Sequence, residues 1–339
     1  MRIALTQNLV LRPALPLLTA LLLAACTVPV ATPAPVTQAE PAATVEATVA
    51  STGEVENAAD VRLYTDAMGR EVEIPTAPQR IVAHYFAAEM VALEIPIIST
   101  NYNNAQLVLT EAQLQGIENS GAEGIEPNLE KLVALAPDLI IMPDFMDATV
   151  LDALSQIAPT ITVSYSSDVF TRLHTLSDIV GKPEQAESWI ASYNAKVEEK
   201  RAEVAGFIEP GETASAFILY VDKKLYVYGP QRLGPTMYDA FGFAMPPKMA
   251  ELFEGSDALW EEISLEVLPD YVGDRLFLVA DDDETAKEVT EEVLNGALWQ
   301  SIPAVQNGKA YVVAPRWAMN DPLTLDWLLD EMANVITQP

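Results

Sequence analysis

The chain has 339 residues, half of them apolar, which predicts a globular protein of one or two domains with a large core. It carries 49 acidic and only 19 basic residues, so its surface repels nucleic acid and anionic lipid headgroups. A single cysteine excludes disulfides within the chain and zinc sites built from cysteines.

The first 25 residues have the pattern of an export signal. Arg2 and Arg12 form a positively charged start, and the apolar run from Pro13 to Leu23 is too short for a comfortable membrane span. The residues Leu23-Ala24-Ala25-Cys26 match the bacterial lipobox, in which the cysteine receives a diacylglyceryl group before cleavage. We predict a lipoprotein signal peptide at residues 1–25 and lipidation of Cys26; the alternative is a plain secretory signal with a chance cysteine.

Residues 26–60 have the composition of a tether. Four prolines lie among Ala, Thr, Val and Glu, and residues 27–60 contain no aromatic or basic side chain. Such a segment cannot nucleate a core, so we predict disorder. A flexible coil of this length reaches about 30 Å, which would let a lipid-anchored globule meet a partner in the membrane.

The ordered part is predicted to begin at Val61, where two short apolar runs flank a turn and indicate a hairpin. Apolar runs then alternate with helical patterns. The predicted strands of this half are 80–83, 96–99, 139–142 and 160–163, and the predicted helices are 87–93, 128–136 and 150–157. This β-α rhythm predicts a parallel sheet covered by helices on both faces.

Residues 167–207 read as one long helical segment, broken once near Gly181-Lys182-Pro183. The alternation then resumes, with predicted strands at 216–220, 225–228, 276–280 and 310–313 and predicted helices at 235–241 and 323–336. We therefore predict an N-terminal α/β lobe at 61–166, a connecting helix at 167–207, and a C-terminal α/β lobe at 208–339.

Three separated segments resemble the class III periplasmic binding proteins of ABC importers, which take up iron–siderophores, haem and vitamin B12. They are YTDAMGR at 64–70 with PQRIV at 78–82, NLEKLVALAPDLI at 128–140, and NGKAYVV at 307–313. The pattern departs at residues 93–96, where the family usually has a Leu-Gly turn. The resemblance covers roughly residues 61–336. It implies two Rossmann-like lobes with central parallel sheets, joined by one long helix that acts as a stiff hinge.

The resemblance also implies that one acidic residue on the rim of each lobe pairs with arginines of the permease. By position these residues are Glu130, in Asn-Leu-Glu-Lys, and Glu266, in Ile-Ser-Leu-Glu-Val-Leu. Two carboxylates on a rigid body would give a two-point electrostatic register. The alternative is that each is an ordinary acid in a first helical turn, where the helix dipole favours it.

Ligands of open α/β sheets bind beyond the carboxyl ends of the strands, so residues that follow the predicted strands are candidates for the pocket. They are His84, Tyr85, Tyr102, Phe145, Tyr165, Tyr228, Arg232, Arg316 and Trp317. Aromatic faces with a few polar groups suit a bulky, partly apolar ligand, and an arginine can meet carboxylate, hydroxamate or catecholate oxygens. His84 could also ligate iron or serve as a loop residue. For each aromatic, the alternative is ordinary packing.

We therefore predict a substrate-binding lipoprotein of an ABC importer, on the outer face of the cytoplasmic membrane or in the periplasm. Its cargo is predicted to be a ferric siderophore, with haem or a corrinoid as alternatives, and its partners the permease and its ATPase. We expect a monomer with no covalent cofactor besides the lipid on Cys26. An anchored enzyme with carboxylate catalysis is the alternative of another class, but the chain has no nucleophile elbow, phosphate loop or dinucleotide fingerprint.

Overall fold

The computed structural model describes residues 60–122, 124–256, 258–281 and 283–337, so the predicted signal peptide, Cys26 and the tether up to residue 59 lie outside the described residues. The predicted hairpin is confirmed: β1 (Val61–Thr65) pairs antiparallel with β2 (Glu71–Pro75). Asp66, in the turn, accepts hydrogen bonds from Arg70 and Thr162. Burial acts to raise the pKa of Asp66, but these hydrogen bonds hold it below its usual value.

A five-stranded parallel sheet forms the first lobe, in the order β5-β4-β3-β6-β7. Its strands are β3 (Ile81–Ala83), β4 (Ser99–Thr100), β5 (Glu118–Asn119), β6 (Leu139–Pro143) and β7 (Thr160–Val163). The helices between them are α1 (Ala87–Ala92), α2 (Tyr102–Ala105), α3 (Glu111–Leu114), α4 (Leu129–Leu135) and α5 (Ala148–Ser155). Every residue of β6 and β7 is buried, as expected for strands covered on both faces.

Two consecutive helices follow β7: α6 (Val169–Ile179) and α7 (Pro183–Val204). The break falls where the sequence predicted it. Gly181 there has a φ of 71°, a left-handed conformation that glycine adopts without strain. Pro183 is the first residue of α7, a position that does not require its missing N–H. With 22 residues, α7 is about 33 Å long.

A second five-stranded sheet has the order β10-β9-β8-β11-β12. Its strands are β8 (Ala214–Leu219), β9 (Leu225–Tyr228), β10 (Trp260–Ile263), β11 (Arg275–Ala280) and β12 (Ala310–Val313). The strands β8, β11 and β12 are parallel, as predicted for the centre of the sheet, whereas β9 runs antiparallel to both of its neighbours. Residues 220–224 between β8 and β9 are too few for a parallel crossover, so the chain turns back as a hairpin.

Short helical segments surround this second sheet. They are a π-helix (Pro235–Ala240), α8 (Pro247–Phe253), a 3₁₀ turn (Leu265–Val267), α9 (Leu268–Tyr271), α10 (Glu284–Leu294), α11 (Ala297–Gln300), α12 (Pro303–Gln306), a second 3₁₀ turn (Pro315–Ala318) and α13 (Pro322–Thr337). The predicted helix at 235–241 is thus wound as a π-helix, a form that occurs often at functional sites.

The helix α13 joins the two lobes. It packs against α1 of the first lobe, against α7, and against the π-helix of the second lobe. Its inward face, which includes Leu325, Leu328 and Met332, is fully buried within one hydrophobic cluster that holds core residues of both sheets. None of the helices in the described ranges is long and apolar enough to cross a membrane.

Candidate functional site

Three aromatic side chains meet where neighbouring strands of the first sheet end. Tyr85 follows β3, Phe145 follows β6, and Tyr165 follows β7. Their ring centroids lie 5.5 Å (Tyr85–Phe145), 6.1 Å (Tyr85–Tyr165) and 5.3 Å (Phe145–Tyr165) apart, and each pair is nearly perpendicular. Edge-to-face contacts of this kind favour a fixed arrangement of rings. We call these three residues the aromatic trio; Phe145, which is 46% exposed, presents its apolar surface to solvent.

Arg232 lies in the second lobe, in the loop after β9, and is buried. Its guanidinium carbon is 4.7 Å from the ring centroid of Trp260 and 5.5 Å from that of Tyr228, so both rings support the cation. One terminal nitrogen donates to the carbonyl of Ala318, whereas Nε is buried without a hydrogen-bond partner. Burial raises the pKa of Tyr228; the Arg232 cation counters part of this effect, whereas the phenols of Tyr220 and, from the first lobe, Tyr165 add to it.

Arg316 and Trp317 follow β12, and each packs against another aromatic ring. The guanidinium carbon of Arg316 lies 4.4 Å from the ring centroid of Trp327, and its Nε has no hydrogen-bond partner. Trp317 is buried, with its ring stacked 5.7 Å from that of Phe277 in the core. The structure therefore places Trp317 in the core packing beside the candidate site.

A buried cluster of charges connects the two lobes behind the aromatic trio. Arg172 of α6, which is 1% exposed, donates from Nε to a carboxylate oxygen of Glu89 on α1 at 2.8 Å. Its terminal nitrogens donate to the carbonyls of Tyr165, Ser167 and Asn320. Burial raises the pKa of Glu89, and Arg172 counters only part of this effect. The guanidinium thus satisfies four acceptors that come from both lobes.

A cavity of about 20 Å³ lies beside this cluster, between the aromatic trio and the start of α13. Its lining includes Tyr85, Glu89, Tyr165, Asn320 and Asp321. It has room for about one water molecule. Burial raises the pKa of Asp321, and one of its carboxylate oxygens is buried without a hydrogen-bond partner. Such an oxygen is a suitable partner for one enclosed water.

Sequence reasoning missed this buried cluster, although a weak signal was present. Glu89 interrupts the apolar helical stretch AAEMVAL, and Arg172 lies inside the similar stretch VFTRLHTL. A charged residue on the inward face of a helix is rarely buried unless it is paired. That rule would have flagged each residue, but it could not have identified one as the partner of the other.

His84 and Tyr102 are engaged inside the first lobe. The imidazole of His84 is fully buried, and its Nε2 donates to the carbonyl of Ile125 at 2.8 Å. Burial lowers the pKa of His84, so the ring is neutral at pH 7. The hydroxyl of Tyr102 donates to the carbonyl of Ile117 at 2.6 Å. Within the described ranges, no three His, Cys, Asp or Glu side chains lie close enough together to hold a metal ion.

Glu130 and Glu266 are both exposed near the start of a helical segment. Glu130 lies in the first turn of α4, which Asn128 caps by accepting from the backbone N–H of Lys131 at 3.0 Å. Glu266 lies in the 3₁₀ turn that precedes α9. These positions fit either interpretation of the two acids, so their role in docking stays a prediction.

A groove of about 450 Å³ lies at the opposite end of the second sheet. Thr213, Asp274 and Lys309, which line it, directly precede β8, β11 and β12. It therefore lies at the amino ends of these strands, whereas ligands of open α/β sheets bind beyond the carboxyl ends. The candidate site is the region around the aromatic trio and Arg232.

Comparisons with known proteins identify relatives of this chain. The chain is 25% identical over 258 residues to the iron(3+)-hydroxamate-binding protein YxeB of Bacillus subtilis, covering 75% of this chain and 78% of that protein. The structure resembles the FhuD protein from S. pseudintermedius with a TM-score of 0.71 and 27% identity, covering 83% of this chain and 99% of the other. It also resembles a B. subtilis protein of the FhuD fold family, described as the periplasmic binding protein component of a Fep/Fec-like ferrichrome ABC transporter. That match has a TM-score of 0.69 and 26% identity, covering 81% of this chain and 100% of the other.

The family model described as periplasmic binding protein matches residues 101–316, which is more than half of the chain. Two lobes with parallel-dominated sheets are the fold that the matched structures share. The resemblance inferred from three sequence segments is therefore confirmed, and the expectation that this is a binding protein and not an enzyme is confirmed with it. The chain belongs to the periplasmic binding protein family.

Proposed function

We propose that this chain captures a ferric siderophore of the hydroxamate class between its two lobes and delivers it to the permease of an ABC importer. The names of the relatives support this class, because one binds iron(3+)-hydroxamates and another is a component of a ferrichrome transporter. Haem and a corrinoid are the alternative ligands. The lipid on Cys26 would hold the protein at the outer face of the cytoplasmic membrane.

The observation that carries the proposal is the aromatic trio on one lobe together with the buried Arg232 on the other. Three rings with fixed mutual orientation give an apolar wall for the organic part of a chelate. Arg232 has an unpartnered Nε and, among the described residues, no carboxylate in a salt bridge with it. If separation of the lobes uncovers this buried guanidinium, it can donate to the oxygens of an iron complex without first breaking an ion pair.

The charge of the chain favours one kind of siderophore. Removal of residues 1–25 takes away two of the 19 basic residues and no acid, which leaves 17 against 49 acidic residues. Near the candidate site, Arg172 is already paired with Glu89. Arg316 lies close enough to Asp321 to counter part of the rise that burial causes in the pKa of that carboxyl. The negative electrostatic field of the protein therefore favours a neutral or cationic ferric hydroxamate over a trianionic catecholate complex.

A binding panel tests the ligand class. Quenching of intrinsic tryptophan fluorescence would be titrated with ferrichrome, ferric enterobactin, haemin and cobalamin. We expect ferrichrome to bind with a Kd below about 1 μM and ferric enterobactin to bind at least tenfold more weakly. Tight binding of haemin or cobalamin alone would replace the siderophore with that alternative, and the absence of any binding tighter than micromolar would refute the proposal.

Variants test the role of the arginine. We expect Arg232→Ala to weaken ferrichrome binding about tenfold or more, because a charge-assisted hydrogen bond contributes about 1.5–3 kcal/mol. Arg62→Ala is a matched control, since Arg62 of β1 pairs with the exposed Asp178 of α6. Equal weakening in the two variants would show that Arg232 acts only through the overall charge of the protein.

The docking role of Glu130 and Glu266 needs a transport assay. We expect the double variant Glu130→Ala, Glu266→Ala to bind ferrichrome normally and to reduce its uptake into cells. Glu111→Ala is the control, because Glu111 is also an exposed acid in the first turn of a helix. Normal uptake in the double variant would assign both acids to helix stabilisation alone.

Lipidation of Cys26 is tested directly. A Cys26→Ser variant should lose incorporation of labelled fatty acid and be released from the membrane fraction, while ferrichrome binding is unchanged. Retention of the label by the Cys26→Ser variant would place the lipid elsewhere in the chain.

A further inference from the structure

The loop after β7 is bonded to the second lobe from two sides. On the buried side, Arg172 donates to the carbonyls of Tyr165 and Ser167 at 3.1 and 2.7 Å, and also to the carbonyl of Asn320, which precedes α13. On the solvent side, the amide nitrogen of Gln231 donates to the carbonyl of Ser166 at 2.8 Å. This loop carries Tyr165 of the aromatic trio, so the two sets of bonds fix one wall of the candidate site.

The side-chain amide of Gln231 forms a hydrogen bond through its nitrogen and another through its oxygen. Its nitrogen reaches the first lobe at Ser166, and its oxygen accepts a hydrogen bond from the side-chain nitrogen of Asn320 at 3.3 Å. The amide is therefore bonded to both lobes, and its bond to Ser166 is exposed to solvent. Arg172, in contrast, is buried and holds four acceptors.

The backbone around Gln231 adds an independent observation. Arg232 has a φ of 60°, a left-handed conformation that is uncommon for a residue with a side chain. In this conformation the side chains of two adjacent residues point to different lobes. Gln231 donates to the carbonyl of Ser166 in the first lobe, whereas Arg232 donates to the carbonyl of Ala318 in the second lobe. Strained backbone persists only where surrounding contacts determine it, and it concentrates at ligand clamps and switch regions.

We propose that Gln231 is a latch residue that holds the two lobes closed over the ligand, with the buried Arg172 as the fixed point about which they move. The exposed hydrogen bond between Gln231 and Ser166 is the one that water replaces most easily when the lobes separate, whereas the bonds of Arg172 stay shielded. Gln231 thus acts on the ligand through the position of the Tyr165 loop. The effect on ligand release rests on the proposed function; the effect on lobe opening does not.

Opening of the ligand-free protein is measured by hydrogen–deuterium exchange of the peptides that contain residues 164–168 and 318–321. We expect Gln231→Ala to raise exchange in both peptides about three- to tenfold, which is the range for loss of one exposed neutral hydrogen bond. Gln306→Ala is the matched control, because Gln306 donates to the carbonyl of Gln300 within the second lobe. Unchanged exchange in the Gln231→Ala variant would overturn the latch.

Ligand release is measured by stopped-flow displacement of ferrichrome. We expect Gln231→Ala to raise the dissociation rate of ferrichrome about three- to tenfold, because release requires the lobes to open. Gln231→Glu should behave like Gln231→Ala, since a carboxylate cannot donate to the Ser166 carbonyl. A dissociation rate in Gln231→Glu equal to that of wild type would overturn the latch. Failure of the wild type to bind ferrichrome would instead refute the proposed ligand class, and the exchange experiment alone would then decide the latch.

Discussion

Replacement of Arg172 with methionine is the sharpest test of how the two lobes are held together. The side chain is 1% exposed, and its partner Glu89 is also buried, with 2.8 Å between the bonded atoms. The Arg172→Met variant keeps most of the apolar volume but removes the charge and all four donated hydrogen bonds. The Glu89 carboxylate is then left in the interior with no charged partner in direct contact.

The expected loss of stability follows from this geometry. Removal of one partner from a buried ion pair typically costs about 3–5 kcal/mol. Three backbone carbonyls also lose their donor, so the upper part of that range is expected. For a domain of this size, each 1 kcal/mol lowers Tm by roughly 2–4 °C. The variant should therefore melt on the order of 10 °C below wild type.

Thermal and urea denaturation, followed by circular dichroism, measure this loss. Arg62→Met is the matched control, because Arg62 pairs with Asp178 at 3.1 Å on the surface and such pairs contribute less than about 1 kcal/mol. The reasoning would be refuted if Arg172→Met lost no more stability than Arg62→Met. If Arg172→Met lost much of its stability but kept its ferrichrome affinity at low temperature, Arg172 would contribute to stability and not to ligand binding.

Three further predictions concern single residues. Asp66 has a lowered pKa, so its ionised carboxylate should stabilise the folded protein above about pH 4, and this stabilisation should be lost as the pH falls through the folded-state pKa. In urea titrations at pH 2–5, an Asp66→Asn variant should show no such loss. Glu89 has a raised pKa, so the free energy of unfolding of wild type should fall relative to that of Glu89→Gln as the pH rises through that pKa. A difference in unfolding free energy between the two proteins that does not change with pH would contradict this. Gly273→Ala should destabilise the protein by about 1–3 kcal/mol, because the new Cβ would lie 2.8 Å from the backbone of Thr213. In the control Gly206→Ala the Cβ meets no atom within 4 Å, so calorimetry should show an unchanged Tm.

The order and type of the main elements were predictable because they depend on local patterns. Short apolar runs predicted four of the five strands of the first sheet, all but β5, and Gly181-Lys182-Pro183 predicted the break between α6 and α7. The aromatic trio also follows from local reasoning, since the carboxyl ends of neighbouring parallel strands must meet at one edge. The antiparallel direction of β9 also has a local cause, since its connection to β8 is too short for a parallel crossover.

Other features depend on contacts that no local pattern encodes. Glu89 and Arg172 are 83 positions apart, and Gln231 and Ser166 are 65 apart, so each residue alone looks like an ordinary polar side chain. A position after a strand also does not fix where a side chain points. His84 and Trp317 both follow strands, yet burial and neighbouring groups direct them into the interior. The role of each predicted site residue in ligand binding stays a prediction.

The placement of α13 has a consequence for how an exported chain becomes folded. This helix supplies the inward residues Leu325, Leu328 and Met332 to a cluster shared by both lobes, and Arg172 binds the backbone just before it. The layer of helices between the lobes is therefore incomplete until the last element described has docked. A chain that crosses the membrane amino terminus first would stay loosely packed until α13 emerges. Truncations that remove α13 should consequently be recovered as protease-sensitive chains.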